Sequence, residues 1–197
     1  MSEAYKLKSE VIKLLRENIL KGLEAFGMPI SAGPEDDGWR CIESDQPSFR
    51  NVDKTVVIYL EKTERIGWQG DERRYNEETK KIDVYDNFIE QQHWRLKILL
   101  RRTTEPIVDG SSTYEVMDIA GMLIAWFNRL GCMEFRKHNM ANLFISPKDI
   151  KTYKDPSDAS QWVAEFTLKL QVPKTFVTEI DTATVEYAGY RQIFGKP

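Results

Sequence analysis

Two segments of this chain alternate apolar and polar side chains over unusual lengths, and a helix of nearly continuous apolar character lies between them. They are Trp94-Arg95-Leu96-Lys97-Ile98-Leu99-Leu100-Arg101 and Trp162-Val163-Ala164-Glu165-Phe166-Thr167-Leu168-Lys169-Leu170-Gln171-Val172. Successive side chains of a strand point to opposite faces. Trp94, Leu96, Ile98 and Leu100 therefore share one face, as do Trp162, Ala164, Phe166, Leu168, Leu170 and Val172. The other face carries Arg95, Lys97 and Arg101 on the first strand, and Glu165, Thr167, Lys169 and Gln171 on the second. One face is buried and the other is a long charged surface with no pocket chemistry beside it, which points to assembly more than to catalysis.

With 197 residues, 41% of them hydrophobic, the chain is long enough to bury a full core, and a single domain over 1–197 with irregular extensions is expected. Lys+Arg (28) and Asp+Glu (31) nearly cancel to a net charge of -3. That argues against a domain that holds nucleic acid by neutralising phosphates, which needs a clear basic excess. The start, Met-Ser-Glu-Ala-Tyr-Lys-Leu-Lys, is charged throughout, and no later stretch approaches the roughly 18 apolar residues of a membrane span. A soluble protein made in a cytosol is expected, with Cys41, in a polar loop, and Cys132, after a helix, as free thiols.

Leu7, Val11, Leu14 and Leu15, broadened by Ile12, Ile19, Leu23 and Phe26, predict a first helix from about Ser2 to Phe26, closed by Gly27. Residues 28–53, with Pro29, Gly33, Pro34, Gly38 and Pro47, read as a long loop. The β-branched run Thr55-Val56-Val57-Ile58-Tyr59-Leu60 reads as a central strand. Residues 61–88 read as a protruding β-hairpin with its tip near Glu77, and its aromatics have little local core to fill, which makes a neighbour their partner. Ser112-Thr113-Tyr114-Glu115 is a capping box. It opens a helix over 113–130 whose face is Val116, Ile119, Ala120, Leu123, Ile124, Phe127 and Leu130, and which Gly131 ends. Met117, Gly121 and Ala125 form a second row on it, which meets either another subunit or the chain's own sheet. A short strand over Met133 to Lys137, a loop over 139–160, the long strand 162–172 and a last strand around Thr184 to Tyr190 complete the order. The result is an α+β fold: a mainly antiparallel sheet with two principal helices on one face, a protruding hairpin and long loops.

Cys41, His93, Cys132 and His138 are the right ligand types for zinc, but no CxxC or HxxxH spacing joins them, and both histidines are expected at the surface. Asp83 with Glu134 or Glu165 lacks the lysine that a metal-dependent nuclease site places two residues after its glutamate. No Gly-x-Gly-x-x-Gly, Walker loop or Gly-x-Ser-x-Gly elbow occurs. The basic pairs Arg73-Arg74, Lys80-Lys81, Arg101-Arg102 and Arg136-Lys137 could touch nucleic acid, but such pairs are more often solvated strand ends or edge-strand gatekeepers.

Taken together, the helix ending Leu23-Glu24-Ala25-Phe26-Gly27, the run Asp83-Val84-Tyr85 leading into Trp94-Arg95-Leu96-Lys97-Ile98, the helix ending Phe127-Asn128-Arg129-Leu130-Gly131, the strand from Trp162 to Leu170 and the terminal Val185-Glu186-Tyr187 form a pattern. It resembles the tail terminator, or neck terminator, proteins of tailed bacteriophages, particularly those with contractile tails. The resemblance implies a non-enzymatic virion protein without cofactor or metal. It would form a ring, commonly a hexamer, on the finished tail tube, stop polymerisation and give the head its docking surface. Its partners would be copies of itself, the tail tube protein, a head-tail connector or adaptor protein and the tail sheath, with genomic DNA passing through the lumen unread. No membrane is involved, and the place is the virion neck, reached from the host cytoplasm. Trp68, Tyr75, Ile82, Val84 and Tyr85 are the candidate assembly interface, and Arg95, Lys97, Arg101, Glu165 and Lys169 the candidate lumen face. The alternatives are a head-completion or connector protein of the neck and a small metal-dependent phage nuclease.

Overall fold

A computed structural model describes residues 8–33, 36–44, 53–101, 104–106, 113–156 and 158–180. Helix α1 spans Lys8–Ala25, and its residues Val11, Ile12, Leu15, Ile19 and Leu23 fall at helical spacing and are buried. Gly27, at φ 77°, ends it as expected. The Met28 amide reaches back to the Leu23 carbonyl (3.1 Å) and the Gly27 amide to that of Glu24 (2.9 Å), a closure that needs the left-handed residue.

The strands follow as β1 (Arg40–Glu43), β2 (Thr55–Asn76), β3 (Lys81–Leu100), β4 (Thr104–Pro106) and β5 (Thr113–Glu115). Then come α2 (Val116–Trp126), a π-helical turn (Phe127–Gly131) and α3 (Cys132–Arg136). β6 (Ala141–Asn142), a 3-10 turn (Pro147–Asp149), β7 (Lys151–Lys154) and β8 (Trp162–Ile180) complete the chain. The main sheet has the order β1-β2-β3-β8-β6, with β7 also on β8, while β4 and β5 pair separately. β1 runs parallel to β2, and β6 and β7 run antiparallel to β8. Asn87 bonded to Thr175 and Lys97 beside Glu165 mark β3 and β8 as antiparallel too. The fold is α+β, with a mainly antiparallel sheet. Trp94, Leu96, Ile98 and Leu100 of β3 and Ala164, Phe166, Leu168, Leu170 and Val172 of β8 are buried in one core with the apolar sides of α1 and α2.

The chain forms two compact units. Of the described residues, the larger takes in those of Leu7–Glu64 and Gln91–Val172, and the smaller Arg65–Glu90 with Pro173–Ile180. The described part of the smaller unit consists of strands and the turn at Glu77 to Lys80.

Several expectations are corrected. The segment 28–53 is not all loop: Trp39 bridges Ile30, and β1 lies beside β2 with Trp39 and Cys41 buried. Gly38 allows this approach, because a Cβ there would lie 2.4 Å from the Ser31 nitrogen. β8 does not stop at Pro173 but runs to Ile180. Its outer neighbour β6 reaches only Gln171, and beyond it an edge position tolerates a residue without an N–H. The second helix starts at Val116, with the Glu115 amide donating to the Asp118 carboxylate (3.0 Å), because Thr113–Glu115 is spent on β5. Ser112 and the last strand expected near 184–190 lie outside the described residues.

Gly131 does not end that helix, and Met133 to Lys137 is helical rather than extended. The Trp126 indole lies against both Gly22 and Gly131, where a Cβ would stand 2.8 Å from its Cδ1. Trp126 Nε1 donates to Asn18 Oδ1 (2.7 Å), and Asn18 Nδ2 donates to the Gly131 carbonyl (2.9 Å). Asn18 thus satisfies a carbonyl within the π turn and clasps α1 to it. The chain leaves the helix only at Asn139, at φ 56°. By length and composition alone the path Val116–Arg136 could cross a membrane, contrary to expectation, but Ile119, Leu123, Ile124, Phe127 and Phe135 are committed to the protein core. The Met117, Gly121 and Ala125 row does not meet the chain's own sheet: Met117 and Ala125 are exposed, and a Cβ on Gly121 would touch nothing.

Candidate assembly surfaces

On the polar side of the sheet, the alternation that buries Ile58, Leu96 and Leu168 presents Tyr59 and Glu61 of β2, Arg95 and Lys97 of β3, and Glu165, Thr167 and Lys169 of β8. Arg95 donates to Glu61 Oε1, and the other oxygen of Glu61 accepts from the Thr167 hydroxyl (3.2 Å). Lys97 Nζ lies 4.0 Å from Glu165 Oε2 and 5.2 Å from the centre of the Tyr59 ring. Tyr153 of β7 donates its hydroxyl to Glu165 (3.0 Å). Burial, then the bond to Glu165, push the Tyr153 phenol up to about 12, and burial raises Tyr59 as well. Both tyrosines keep their protons at neutral pH, so this face offers hydrogen bonds and fixed charge.

A cleft of about 560 Å³ opens on the same face, between Glu61, Arg95, Glu165 and Thr167 on the sheet and Lys148, Asp149 and Lys151 at its rim, with Lys169 beside them. Of the five residues expected on a charged sheet face, Arg95, Glu165 and Lys169 line this cleft, and Lys97 reaches Glu165. Arg101 stands apart at the strand's end, 3.8 Å from Asp158, with its amide on Asp53 (2.7 Å). Sequence reasoning missed Tyr59, Glu61, Lys148, Lys151 and Tyr153. Extending the alternation of β2 past Leu60 would have found Tyr59 and Glu61, whereas Lys148 sits in a 3-10 turn and Lys151 opens the four-residue β7, both too short to show a period.

The hairpin exists with the tip expected. Asn76 Oδ1 accepts from the amides of Glu78 (3.1 Å) and Thr79 (3.3 Å), and Lys80, at φ 56°, closes the turn by donating its amide to the Asn76 carbonyl (2.8 Å). Tyr75 is 59% exposed, and Ile66, which the sequence reading passed over, is 44% exposed. Ile82, Val84 and Tyr85 are half-buried, and the side chain of Trp68 lies outside the described residues. Tyr85 does have a local partner, the Arg74 guanidinium 5.1 Å from its ring centre, and Arg65 lies 4.5 Å from the centre of Phe88 while bonding Asp86 (2.8 Å). The hairpin faces are thus partly covered by arginine rather than bare.

The zinc candidates do not meet. Cys41 is buried in β1, with its thiol pushed up to about 12 by burial, and Cys132 opens α3. His93 is buried, not at the surface, where it meets Glu64 (3.3 Å) and Gln91 (2.9 Å); His138 is exposed. Among the described residues, no three His, Cys, Asp or Glu side chains converge as metal ligands would. Asp83 is held by Asn76 (3.1 Å) in the hairpin, while Glu134 pairs with Lys21 and Lys137. Compared with models of known protein families and with curated proteins, the sequence matches none.

Proposed function

We propose that this is a structural virion protein that forms a ring at the end of a bacteriophage tail tube, terminates its polymerisation and presents a docking surface to the head. The observation that carries the reading is the pair of open strand edges. Among the described residues, β1 covers β2 only from Thr55 to Ile58, leaving the outer side of β2 from Tyr59 to Asn76 without a partner strand. Among the same described residues, β8 has no outer neighbour beyond Gln171. Long unpaired edges are a liability that folded proteins usually blunt or cover. Here they coincide with exposed Ile66 and Tyr75 interleaved with charge, a composition suited to a contact between subunits.

Shortening the tip between Arg74 and Ile82 to a two-residue Asn-Gly turn tests this. Melting curves should stay near those of the parent chain, while ring formation, read by light scattering, should fall sharply. Undiminished rings would place the contacts elsewhere.

A further inference from the structure

We infer that the lysine-rimmed cleft of one copy seats the hairpin tip of the next. The inference rests on the ring reading above and adds to it a defined pair of surfaces. Lys148, Lys151 and Lys169 are exposed at the cleft and have no ion-pair partner among the described residues. The sheet carboxylates beside them are already engaged, Glu61 by Arg95 and Thr167, and Glu165 by Lys97 (4.0 Å) and Tyr153. Asp149 is the remaining carboxylate there, so the cleft keeps a positive excess. At the tip, Glu77 and Glu78 are adjacent, exposed and likewise unpaired among the described residues. The turn that carries them is braced by Asn76, so little order has to be gained when they dock. Two neighbouring carboxylates on a preformed turn complement three lysines around a cavity of about 560 Å³. Because the two surfaces differ, the contact is heterologous, the kind that closes into a ring when the rotation permits. A phosphate backbone is the competing occupant, and duplex DNA binding by the lysine variant separates the two.

The test is sedimentation velocity of the full chain over a range of concentrations, at low salt and at about 0.5 M salt, where screening is short-ranged. Four proteins are compared: the parent chain, Glu77→Lys/Glu78→Lys, Lys148→Glu/Lys151→Glu/Lys169→Glu, and the chain carrying all five changes. The parent should self-associate in a salt-sensitive way, each partial set should weaken this by about ten-fold or more, and the five together should restore it. Melting curves verify folding, and Lys151→Glu or Lys169→Glu alone serves if the triple change melts early. A parent chain whose association ignores both sets overturns the contact and leaves the ring to other surfaces. A parent chain monomeric throughout overturns the copy-to-copy contact and leaves the ring to be judged by tail capping. Loss of duplex DNA binding in the lysine variant, with self-association intact, would give the cleft to phosphate and also overturn the inference.

Discussion

A methyl group added at Gly131 and one added at Gly121 meet opposite surroundings on the same helical path. At Gly131 it would stand 2.8 Å from an indole fixed by its bond to Asn18, whereas at Gly121 it would touch nothing. Relief of the glycine penalty is worth up to about 1 kcal/mol, and overpacking costs about 1–3 kcal/mol. Denaturant melts should therefore show Gly131→Ala destabilised and Gly121→Ala neutral or stabilised; equal shifts would mean that Trp126 is not so held. Sequence rules read Gly131 as a helix stop because they see only the missing side chain, not the indole that occupies its place. Cys41 was misplaced for a related reason, since a strand of four residues among prolines and acids leaves no period to read. Its buried thiol, held up to about 12, should resist thiol reagents at pH 8 until the chain unfolds, while Cys132 labels in the native protein. Native labelling of a Cys132→Ser variant would contradict the burial.

Elements that bury one face in a simple period were legible, and those fixed by remote partners were not. The alternations at 94–100 and 162–172 and the stripe of α1 appear as expected, because burial on one face imposes the period. The run Met133 to Lys137 misled, since so short a segment carries no decisive period and its helical state is imposed by continuation from the π turn. Its Glu134 ties α3 to α1, bonding Lys137 (2.6 Å) and Lys21 (2.8 Å), and these bonds hold its carboxyl down at about 2. A depressed carboxylate stabilises fully above its ordinary value of 4.5, and that contribution is lost as the pH falls toward 2. The stability difference between the parent chain and Glu134→Gln should thus be greatest at pH 7 and shrink across that window. Because the pair is solvent-accessible the difference will be small, and one that stays constant with pH would show that the ion pairs contribute nothing.

For the whole molecule, the α+β class and the hairpin with its tip at Glu77 could be read from the sequence. The continuation of β8 beside the hairpin could not, because Pro173 looks like a terminator unless the edge beyond β6 is known. The candidate surfaces were half legible: alternation gave Arg95, Glu165 and Lys169, but the cleft they share depends on a cross-strand register and on a 3-10 turn leading into β7 that only the fold supplies. The proposed assembly role rests on the edges of β2 and β8 that are open among the described residues and on exposed apolar groups set among charges. The most direct measurement is electron microscopy of purified tail tube protein polymerising with and without this chain. Tubes should stop at a defined length once it is added, each with a ring at one end; tubes that elongate unchanged with bare ends would contradict the account.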